Sequence, residues 1–337
     1  VFITGHTGFK GAWLSFWLSD MGAEIFGFSL DDTMPDKSLY TSLSISNRIK
    51  NDYIGDVRDF DSLKKEINRA KPDFVFHLAA QSLVLRGYKD TLNTWNTNVM
   101  GTANLLEALR RSNHACVVIA ITTDKVYKNN ETSYAFREND HLGGIDPYSA
   151  SKGAAEVAIR SYVKSYFSNN TSKVRIASAR AGNVIGGGDW AENRIIPDCV
   201  KCWSENKVVE LRNPYSTRPW QHVLEPLGGY LTLAAKLNKN EALHGEAFNF
   251  GPQTQQNYSV LDLVKQMSVS WPKVSWTECK PQTAQFYESG LLKLNCDKAL
   301  YYLNWQALLN FEETVTLTAE WYREFYEYPD TIMKITE

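Results

Sequence analysis

Short apolar runs alternate with longer amphipathic stretches through the first half of the chain. The first run ends at Gly5, and a stretch that carries Trp13, Leu14 and Trp17 among its apolar residues follows at once. This pattern predicts a strand, a tight turn and a helix. Further apolar, β-branched runs predict strands at 24–30, 53–59, 72–78, 115–121, 174–179 and 247–250.

The segments between and after these runs have helical character. Helices are predicted at 93–112, from 147 onwards, and at 195–206, 259–269 and 311–327. Strands that alternate with helices, and that are apolar along nearly their whole length, indicate a parallel sheet with helices on both faces. The predicted fold class is therefore α/β, a doubly wound sheet of Rossmann type.

The regular alternation fades after residue 180, which predicts a second, smaller domain. We expect residues 1–180, with roughly 220–252, to form the Rossmann domain. We expect residues 181–219 and 253–337 to form a mixed α/β substrate domain that packs on it.

Composition narrows the class of protein. The 337 residues are 43% hydrophobic and 22% charged, with a formal net charge of −2, as in an ordinary globular protein. Because the net charge is close to zero, the composition does not indicate a basic surface for binding nucleic acid or an anionic membrane. No apolar run approaches the roughly 18 residues of a membrane span. Because Val1 stands inside the first apolar run, we expect the natural chain to have residues before it.

The five cysteines are scattered and do not form a disulfide framework. Cys199 and Cys202 have CxxC spacing, but no second pair accompanies them, so we interpret them as two thiols on a helix and predict no metal site. This usage of cysteine predicts a cytoplasmic protein with reduced thiols.

Glycines recur at positions 5, 8 and 11, where the first strand gives way to the first helix. Such a turn lets backbone approach a pyrophosphate and points a helix N-terminus at its charge. The spacing is GxxGxxG rather than GxGxxG, so the motif alone is weak. Asp31 and Asp32 follow the second strand, where an acidic side chain can bind the ribose hydroxyls of NAD. The alternative is a solvated acidic pair that opens a loop.

Other candidate residues follow strands four and five. Ala79, Ala80 and Gln81 come after the fourth strand, and small side chains there let backbone close on a ligand. The fifth predicted strand ends at Ile121, and Thr122 to Lys125 follow it. Ligands bind at the carboxyl ends of parallel strands, so the sequence places these residues and the glycine turn on one edge.

Tyr148 and Lys152 are four residues apart at the start of a predicted helix, so they share a helix face. A phenol has an unperturbed pKa of about 10 and is a poor base at neutral pH. A nearby ammonium group favours the phenolate, which can take a proton from a hydroxyl while its carbon loses hydride to a nicotinamide. In isolation, YxxxK also fits a surface tyrosine and lysine.

Thr123, Asp124 and Lys125 put a hydroxyl, a carboxyl and an amine on consecutive residues at a strand end. All three reach one site only if the strand has ended there, because neighbouring strand side chains point to opposite faces. A solvated loop is the alternative. A second acid–base set beside Tyr148 indicates oxidation coupled to another proton transfer, such as elimination.

With these motifs in order, the chain resembles the extended short-chain dehydrogenase/reductase family, in its nucleotide-sugar branch. The motifs that carry the resemblance cover roughly residues 1–185: Gly5-x-x-Gly8-x-x-Gly11, Gly55-Asp56-Val57-x-Asp59, His77-Leu78-Ala79-Ala80-Gln81, Asn98-x-x-Gly101-Thr102, Thr122-Thr123-Asp124-x-Val126-Tyr127 and Tyr148-x-x-x-Lys152. Within the branch the chain resembles the sugar 4,6-dehydratases. Lys125 replaces the glutamate of the members that act on dTDP-glucose and GDP-mannose. Lys125, together with the segments at residues 5–11, 186–190 and 218–223, makes the chain similar to the members that act on CDP-glucose.

The resemblance implies an NAD-dependent lyase in deoxysugar and O-antigen synthesis. Tyr148, aided by Lys152 and Thr123, deprotonates the glucose 4-hydroxyl as hydride passes to NAD⁺. Lys125 then removes the C5 proton and Asp124 protonates the departing 6-hydroxyl, which requires a raised pKa for Asp124 and a lowered pKa for Lys125. Hydride returns to C6. Another nucleotide-sugar 4,6-dehydratase, a 4-epimerase and an inactive NAD-binding regulator are the alternatives.

The resemblance also assigns binding residues. The cofactor residues that it implies are Gly5, Thr7, Gly8, Phe9, Gly11, Asp31, Asp56, Val57, Leu78, Ala79, Ala80, Tyr148 and Lys152. The nucleotide-sugar residues that it implies are Gln81, Thr123, Asn183, Arg194, Arg218 and, with Glu288 beside it, Tyr287. Family members assemble through the helices near 93–112 and 148–168, which implies a homodimer or homotetramer. The apolar residues that could supply this face, or pack on the sheet instead, are Leu105, Leu106, Leu109, Val157, Tyr162 and Val163.

Overall fold

A parallel sheet of seven strands organises the computed structural model, which describes residues 1–31, 38–112, 114–169, 172–271, 274–278 and 290–337. The strands of the described residues are β1 (Phe2–Thr4), β2 (Phe26–Ser29), β3 (Asn51–Ile54), β4 (Phe74–His77), β5 (Cys116–Ile121), β6 (Val174–Ala181), β7 (Val184–Ile185), β8 (Val209–Leu211), β9 (Thr217–Arg218), β10 (Gln221–His222), β11 (Ala247–Phe250), β12 (Tyr258–Ser259) and β13 (Trp276–Glu278).

Helices join and cover these strands. Their bounds are α1 (Phe9–Asp20), α2 (Leu39–Ser42), α3 (Phe60–Ala70), α4 (Val84–Lys89), α5 (Thr91–Trp95), α6 (Gly101–Ser112), α7 (Pro147–Tyr162), α8 (Ile195–Ser204), α9 (Leu224–Lys239), α10 (Val260–Ser270), α11 (Asp297–Leu303), α12 (Phe311–Glu327) and α13 (Ile332–Thr336). Short π-helical segments at Asn96–Met100 and Val163–Phe167 join α5 to α6 and extend α7.

The order of strands across the sheet is β11-β6-β5-β4-β1-β2-β3, and every pair in it is parallel. The chain moves outward from β1 in one direction through β2 and β3, then returns to place β4 on the other side of β1. This reversal creates a crevice at the carboxyl ends of β1 and β4, where doubly wound sheets bind their ligands. The predicted fold class is confirmed.

Alternate residues of the central strands enter two separate cores. Phe2 and Val75 belong to the core on one face, which includes α3, α6 and α7, whereas Ile3 and Phe76 belong to the core on the other face, which includes α1 and α9. This follows from the two-residue period of a strand with both faces buried. The continuous apolar runs in the sequence have the same cause.

The predicted strands and helices are present, with ends shifted by a few residues. The helix predicted at 93–112 contains a π-helical segment in its middle, which periodicity could not show. The structure adds α9, which the sequence analysis did not predict, and which lies against β5 and β6. The proposed division into two domains stays a prediction.

The residues considered for an oligomer interface divide into two groups. Leu105, Leu106, Leu109 and Val163 are buried in the core beneath the sheet and are therefore committed to packing. Val157 is 50% exposed on α7, and Tyr162, at the end of the same helix, is half-buried. The apolar face is thus smaller than the sequence suggested, and the oligomeric state stays a prediction.

Within the described ranges, no helix is long and apolar enough to span a membrane. The four cysteines in the described part of the chain are free thiols. The same residues include no cluster of His, Cys, Asp or Glu side chains suited to a metal ion.

Candidate active site

The glycine turn lies directly against the end of β4. Gly5 has a φ of +77°, and a Cβ at this position would lie 2.7 Å from the backbone nitrogen of Ala79. A Cβ on Gly11 would lie 2.0 Å from the carbonyl oxygen of Gly5. Helix α1 starts immediately after Gly8 and has no acidic residue in its first turn. The turn therefore forms a backbone cradle at a helix N-terminus, which suits the pyrophosphate of a dinucleotide.

We expect Gly11→Ala to abolish detectable binding of the predicted dinucleotide. Because the added methyl group overlaps the carbonyl of Gly5, the turn must open, at a cost of about 1–3 kcal/mol in the free energy of unfolding. Thermal unfolding with and without NAD measures both effects.

Gly228→Ala is the matched control for this variant. The nearest atom to its added Cβ is a ring carbon of Trp17 at 3.7 Å, and Gly228 lies inside α9, where alanine is preferred by about 1 kcal/mol. It should keep the stabilisation by NAD. Equal stabilisation of Gly11→Ala by NAD would contradict the cradle.

Hydrogen bonds connect the segments that follow β1 and β2 beside the glycine turn. The hydroxyl of Thr7 forms a hydrogen bond with the Ser29 hydroxyl at 2.8 Å and donates to the carbonyl of Leu30 at 3.1 Å. Asp31 follows, exposed, at the carboxyl end of β2, as its predicted ribose role requires. Asp32 lies outside the described residues.

Asp56 and Val57 follow the end of β3. Hydrogen bonds from the Arg58 guanidinium lower the pKa of the Asp56 carboxyl, so it remains charged near neutral pH. Val57 is buried against α6, where a Cβ on Gly101 would lie 2.6 Å from its Cγ2. Both residues lie on the same edge as the glycine turn, and their adenine-side roles stay predictions.

The loop after β4 is held by amide hydrogen bonds. The Gln81 side chain donates to the carbonyl of Leu83 at 3.1 Å and to the Thr94 hydroxyl at 2.9 Å, and accepts from the Leu83 amide at 2.7 Å. Asn98 accepts from the Gln81 backbone amide and donates to its carbonyl. The structure gives Gln81 a role in fixing the loop that carries Ala79 and Ala80, and a contact with the sugar stays a prediction.

The start of α7 places Tyr148 and Lys152 inside the molecule. Asp146 caps the helix by accepting from the backbone amides of Tyr148 and Ser149, with Pro147 at the first helical position. Tyr148 and Lys152 are both buried, and the Lys152 ammonium donates to the carbonyl of Ile121 at 3.1 Å. The interpretation as a surface pair is therefore wrong.

The protonation of this pair differs from the expectation. Burial raises the pKa of Tyr148 to about 12, although the neighbouring Thr123 hydroxyl and the charge of Arg194 both oppose the rise. Burial and the charge of Lys10 lower the pKa of Lys152 to about 7. Desolvation of the phenolate outweighs the charges that the chain supplies, and the help that Lys152 and Thr123 give to Tyr148 stays a prediction.

Thr123, Asp124 and Lys125 lie beyond the end of β5, where the strand gives way to a turn of 3₁₀ helix at Asp124–Val126. The Thr123 hydroxyl donates to Oδ1 of Asp124 at 3.0 Å and lies near the Tyr148 phenol. Lys125 is half-buried and lines a cavity with Val84. The strand thus ends where these residues require it to end, and the solvated-loop interpretation is wrong for Thr123 and Asp124.

Asp124 is 1% exposed, and burial raises the pKa of its carboxyl, outweighing the charges of Lys125, Arg218 and Lys10 and a hydrogen bond from Thr123. Among the described residues, its Oδ2 has no hydrogen-bond partner. A Cβ on Gly182 would lie 1.7 Å from this oxygen, so the carboxyl is closed in by backbone. Burial thus favours the protonated form of Asp124, as the environment of a general acid does.

The residues predicted to bind the diphosphate lie around this pocket. Arg194 forms an ion pair with Asp189 at 2.7 Å and acts electrostatically on Tyr148. Arg218 is buried and acts electrostatically on Asp124. Asn183 has a positive φ of 46°, and its Oδ1 is buried without a partner among the described residues. Tyr287 and Glu288 lie outside the described residues.

Two residues near Asp124 were not singled out from the sequence. Lys10, in the first turn of α1, acts electrostatically on Asp124 and Lys152, and burial with the charge of Arg194 lowers its pKa to about 8. A cation is unfavourable at a helix N-terminus, which is a signal that the sequence did contain. Tyr230, on α9, is fully buried beside Lys10 and offered no such signal.

Comparisons with known proteins agree with this geometry. The family model described as GDP-mannose 4,6 dehydratase matches residues 2–318. The CDP-glucose 4,6-dehydratase of Salmonella typhimurium is 43% identical over 341 residues, which cover 99% of this chain and 93% of that protein. Pal from Bacillus thuringiensis has a similar fold, with a TM-score of 0.82 at 22% identity over 96% of this chain and 99% of that one. The dTDP-glucose 4,6-dehydratase from Bacillus anthracis, solved in complex with NAD, has a TM-score of 0.78 at 21% identity over 96% of both chains.

Proposed function

This chain belongs to the GDP-mannose 4,6 dehydratase family, and from that premise we propose that it is an NAD-dependent lyase that converts CDP-D-glucose to CDP-4-keto-6-deoxy-D-glucose. The observation that carries the reaction type is the buried Asp124, whose carboxyl has a raised pKa and accepts a hydrogen bond from the Thr123 hydroxyl. An alcohol oxidation alone has no use for this acid, whereas an elimination requires it. The 43% identical relative supports CDP-glucose as the substrate.

NAD fits the residues present. The backbone cradle of Gly5 and Gly11 leaves no room for side chains and opens at the N-terminus of α1, where a pyrophosphate binds. Asp31 stands where the ribose hydroxyls are bound in such folds. A bound NAD⁺ would supply the hydride acceptor for C4, the donor for C6, and a positive charge that favours the Tyr148 phenolate.

The side chains of the pocket divide the proton transfers between them. Tyr148 takes the proton of the 4-hydroxyl, aided by Lys152, which is buried one turn further along α7. Lys125 removes the proton from C5, which the new 4-keto group has made acidic. Asp124 protonates the 6-hydroxyl so that it leaves as water, and its closed pocket keeps bulk solvent from this step.

Cationic side chains suit the diphosphate of the substrate. Arg194 and Arg218 present guanidinium groups near Tyr148 and Asp124, and such groups bind phosphate oxygens in pairs. Asn183 offers a buried amide in the same region. These three residues hold the nucleotide so that the glucose ring reaches the acid–base sets.

The proposed function predicts an internal hydride transfer. With CDP-glucose deuterated at C4, the label should appear at C6 of a 4-keto-6-deoxy product, with no net formation of NADH, as followed by NMR and absorbance at about 340 nm. Label that remains at C4 of an epimerised sugar would contradict the proposal. CDP-, dTDP- and UDP-glucose compared at equal concentration test the choice of base, and turnover of dTDP-glucose above CDP-glucose would overturn it.

A further inference from the structure

A buried ion pair that takes no part in the proposed proton transfers joins β6 to α7. Arg180, near the end of β6, and Glu156, on α7, are 3% and 6% exposed. Nε of Arg180 donates to the two carboxylate oxygens of Glu156 at 2.8 and 3.1 Å, and a terminal nitrogen of the guanidinium donates to the same carboxylate. Although burial opposes its charge, the hydrogen bonds and charge of Glu156 raise the pKa of Arg180. The pair is therefore charged and held in a fixed plane.

The ion pair holds both ends of the turn at 123–126, which contains the proposed acid and base of the elimination. Before the turn, the Thr122 hydroxyl donates to Oε1 of Glu156 at 2.6 Å. After the turn, Arg180 donates to the Tyr127 hydroxyl at 2.8 Å, and its guanidinium lies 4.9 Å from the centroid of the Tyr127 ring. All four side chains are buried. The position of the turn thus depends on side chains from β6 and α7.

The same carboxylate lies close to the other acid–base set. Glu156 is one turn beyond Lys152 on α7, and its charge acts on that ammonium group. The start of α7 is fixed separately, because Asp146 caps it and accepts from the Tyr148 amide. Lys152 also donates to the carbonyl of Ile121, which precedes the turn. The ion pair therefore connects the elimination set to a helix that is already held in place.

Stability alone is a weak reason for a buried ion pair. Apolar side chains of similar volume often replace such a pair with no loss of stability, because charges are costly to remove from water. Apolar side chains do not supply directional bonds, whereas a buried network with all its bonds made gives rigidity. This network extends to the carbonyl of Glu138, which accepts from Arg180 at 3.0 Å, and to Oδ1 of Asn249, which accepts from Tyr127 at 2.6 Å.

We propose that Glu156 and Arg180 are positioning residues that set the distance between the two acid–base sets. The inference rests on the function proposed above, in which one bound sugar meets both sets in succession. The pair fixes the turn at 123–126 relative to α7, so that a sugar oxidised at C4 already lies in place for elimination across C5 and C6. A displacement of about 1 Å in such a site can slow a step by about 10²-fold.

The test is a double variant, Thr122→Val with Tyr127→Phe. It removes both hydrogen bonds between the ion pair and the turn, and leaves Glu156 and Arg180 paired with each other. On mixing with NAD and CDP-glucose, the rate of NADH formation should stay near the wild-type value, because Tyr148 and Lys152 are held by α7. Elimination should fall by about 10–10²-fold, so NADH should accumulate before product forms. Stopped-flow absorbance follows the NADH, and NMR follows the product.

A merely structural network would give a different result. If the double variant slows both steps by one factor, or forms product without accumulation of NADH, the positioning role is refuted. Thr318→Val is the matched control, since it removes a buried hydroxyl that donates to the Thr314 carbonyl at 2.8 Å within α12. It should keep the wild-type ratio of the two rates. If the double variant does not fold, each single variant should change this ratio in the same direction by a smaller factor.

Amide hydrogen exchange without substrate separates this inference from the proposed function. The backbone amides of Lys125 and Val126 donate to Oγ1 and the carbonyl of Thr123 within the turn. In the double variant these amides should exchange faster, whereas those in the first turns of α7 should keep their protection. Unchanged protection of the turn would overturn the positioning role. Wild-type enzyme that forms no 4-keto sugar from CDP-glucose would instead refute the proposed function, and the exchange rates would still decide whether the ion pair holds the turn.

Discussion

Asp124→Asn should oxidise its substrate at C4 and then fail to eliminate water. The amide preserves the shape of the buried side chain but cannot protonate the 6-hydroxyl, so formation of the 4-keto-6-deoxy product should fall by about 10²–10⁴-fold. Oxidation does not need this acid, and NADH should therefore accumulate on the enzyme after mixing with CDP-glucose. Stopped-flow absorbance measures the NADH, and NMR measures the product.

The stability of Asp124→Asn separates lost chemistry from lost folding. A buried carboxyl with a raised pKa binds its proton more tightly in the folded protein, so stability falls as pH rises above the unfolded pKa of 3.8. Because asparagine carries no such proton, the stability of the variant relative to the wild type should increase steadily as pH rises above 3.8. An inactive variant with a lower melting temperature at every pH would contradict the proposed role.

The same raised pKa predicts the pH dependence of the wild-type enzyme. Asp124 must be protonated at the start of a cycle, so the rate of elimination should fall as pH rises through its pKa in the folded protein. The rate of C4 oxidation should not show this fall. A pH profile of product formation, compared with one of NADH formation in Asp124→Asn, tests the assignment.

Tyr148→Phe should abolish both steps. Without the phenolate, no group of the chain takes the proton of the 4-hydroxyl, so C4 oxidation should fall by about 10²–10⁴-fold. NADH should not accumulate, which distinguishes this variant from Asp124→Asn. The variant should keep its fold, because phenylalanine preserves the buried ring at the start of α7.

Tyr162→Phe is the matched control for this variant. Tyr162 lies at the end of the same helix, half-buried, with its hydroxyl 3.4 Å from Glu107 and remote from the strand ends that carry the site. It should retain wild-type rates of NADH and product formation. A Tyr148→Phe enzyme that keeps its rate of C4 oxidation would require another base.

The periodicity of the sequence was sufficient for the sheet. The central strands are buried on both faces, so they appear as continuous apolar runs that need no information from distant residues. Helix α9 escaped detection although it covers β5 and β6, because its glycines and proline at 226–229 obscure its start. The π-helical segment at Asn96–Met100 lies within a run that is helical in pattern throughout.

The chemistry of the site was less accessible to sequence reasoning. The relevance of Lys10 depends on its approach to Asp124 and Lys152, which come from three separate parts of the chain. The hydrogen bonds of Gln81 also depend on tertiary structure, because Thr94 and Asn98 come from the next helical segments. From its residue type alone, Gln81 could equally be predicted to contact the sugar or to form hydrogen bonds within its own loop.

By itself, the sequence determined which groups stand at the carboxyl edge of the sheet. The order of apolar runs sets a parallel topology, and the residues after each run must then meet at one edge. Only the tertiary structure decided how these groups hold their protons. A pKa depends on how completely the folded chain removes water from a group and on which charges remain nearby. The closure of Gly182 over Asp124 and the burial of Tyr148, which outweighs its charged neighbours, have no counterpart in the local sequence.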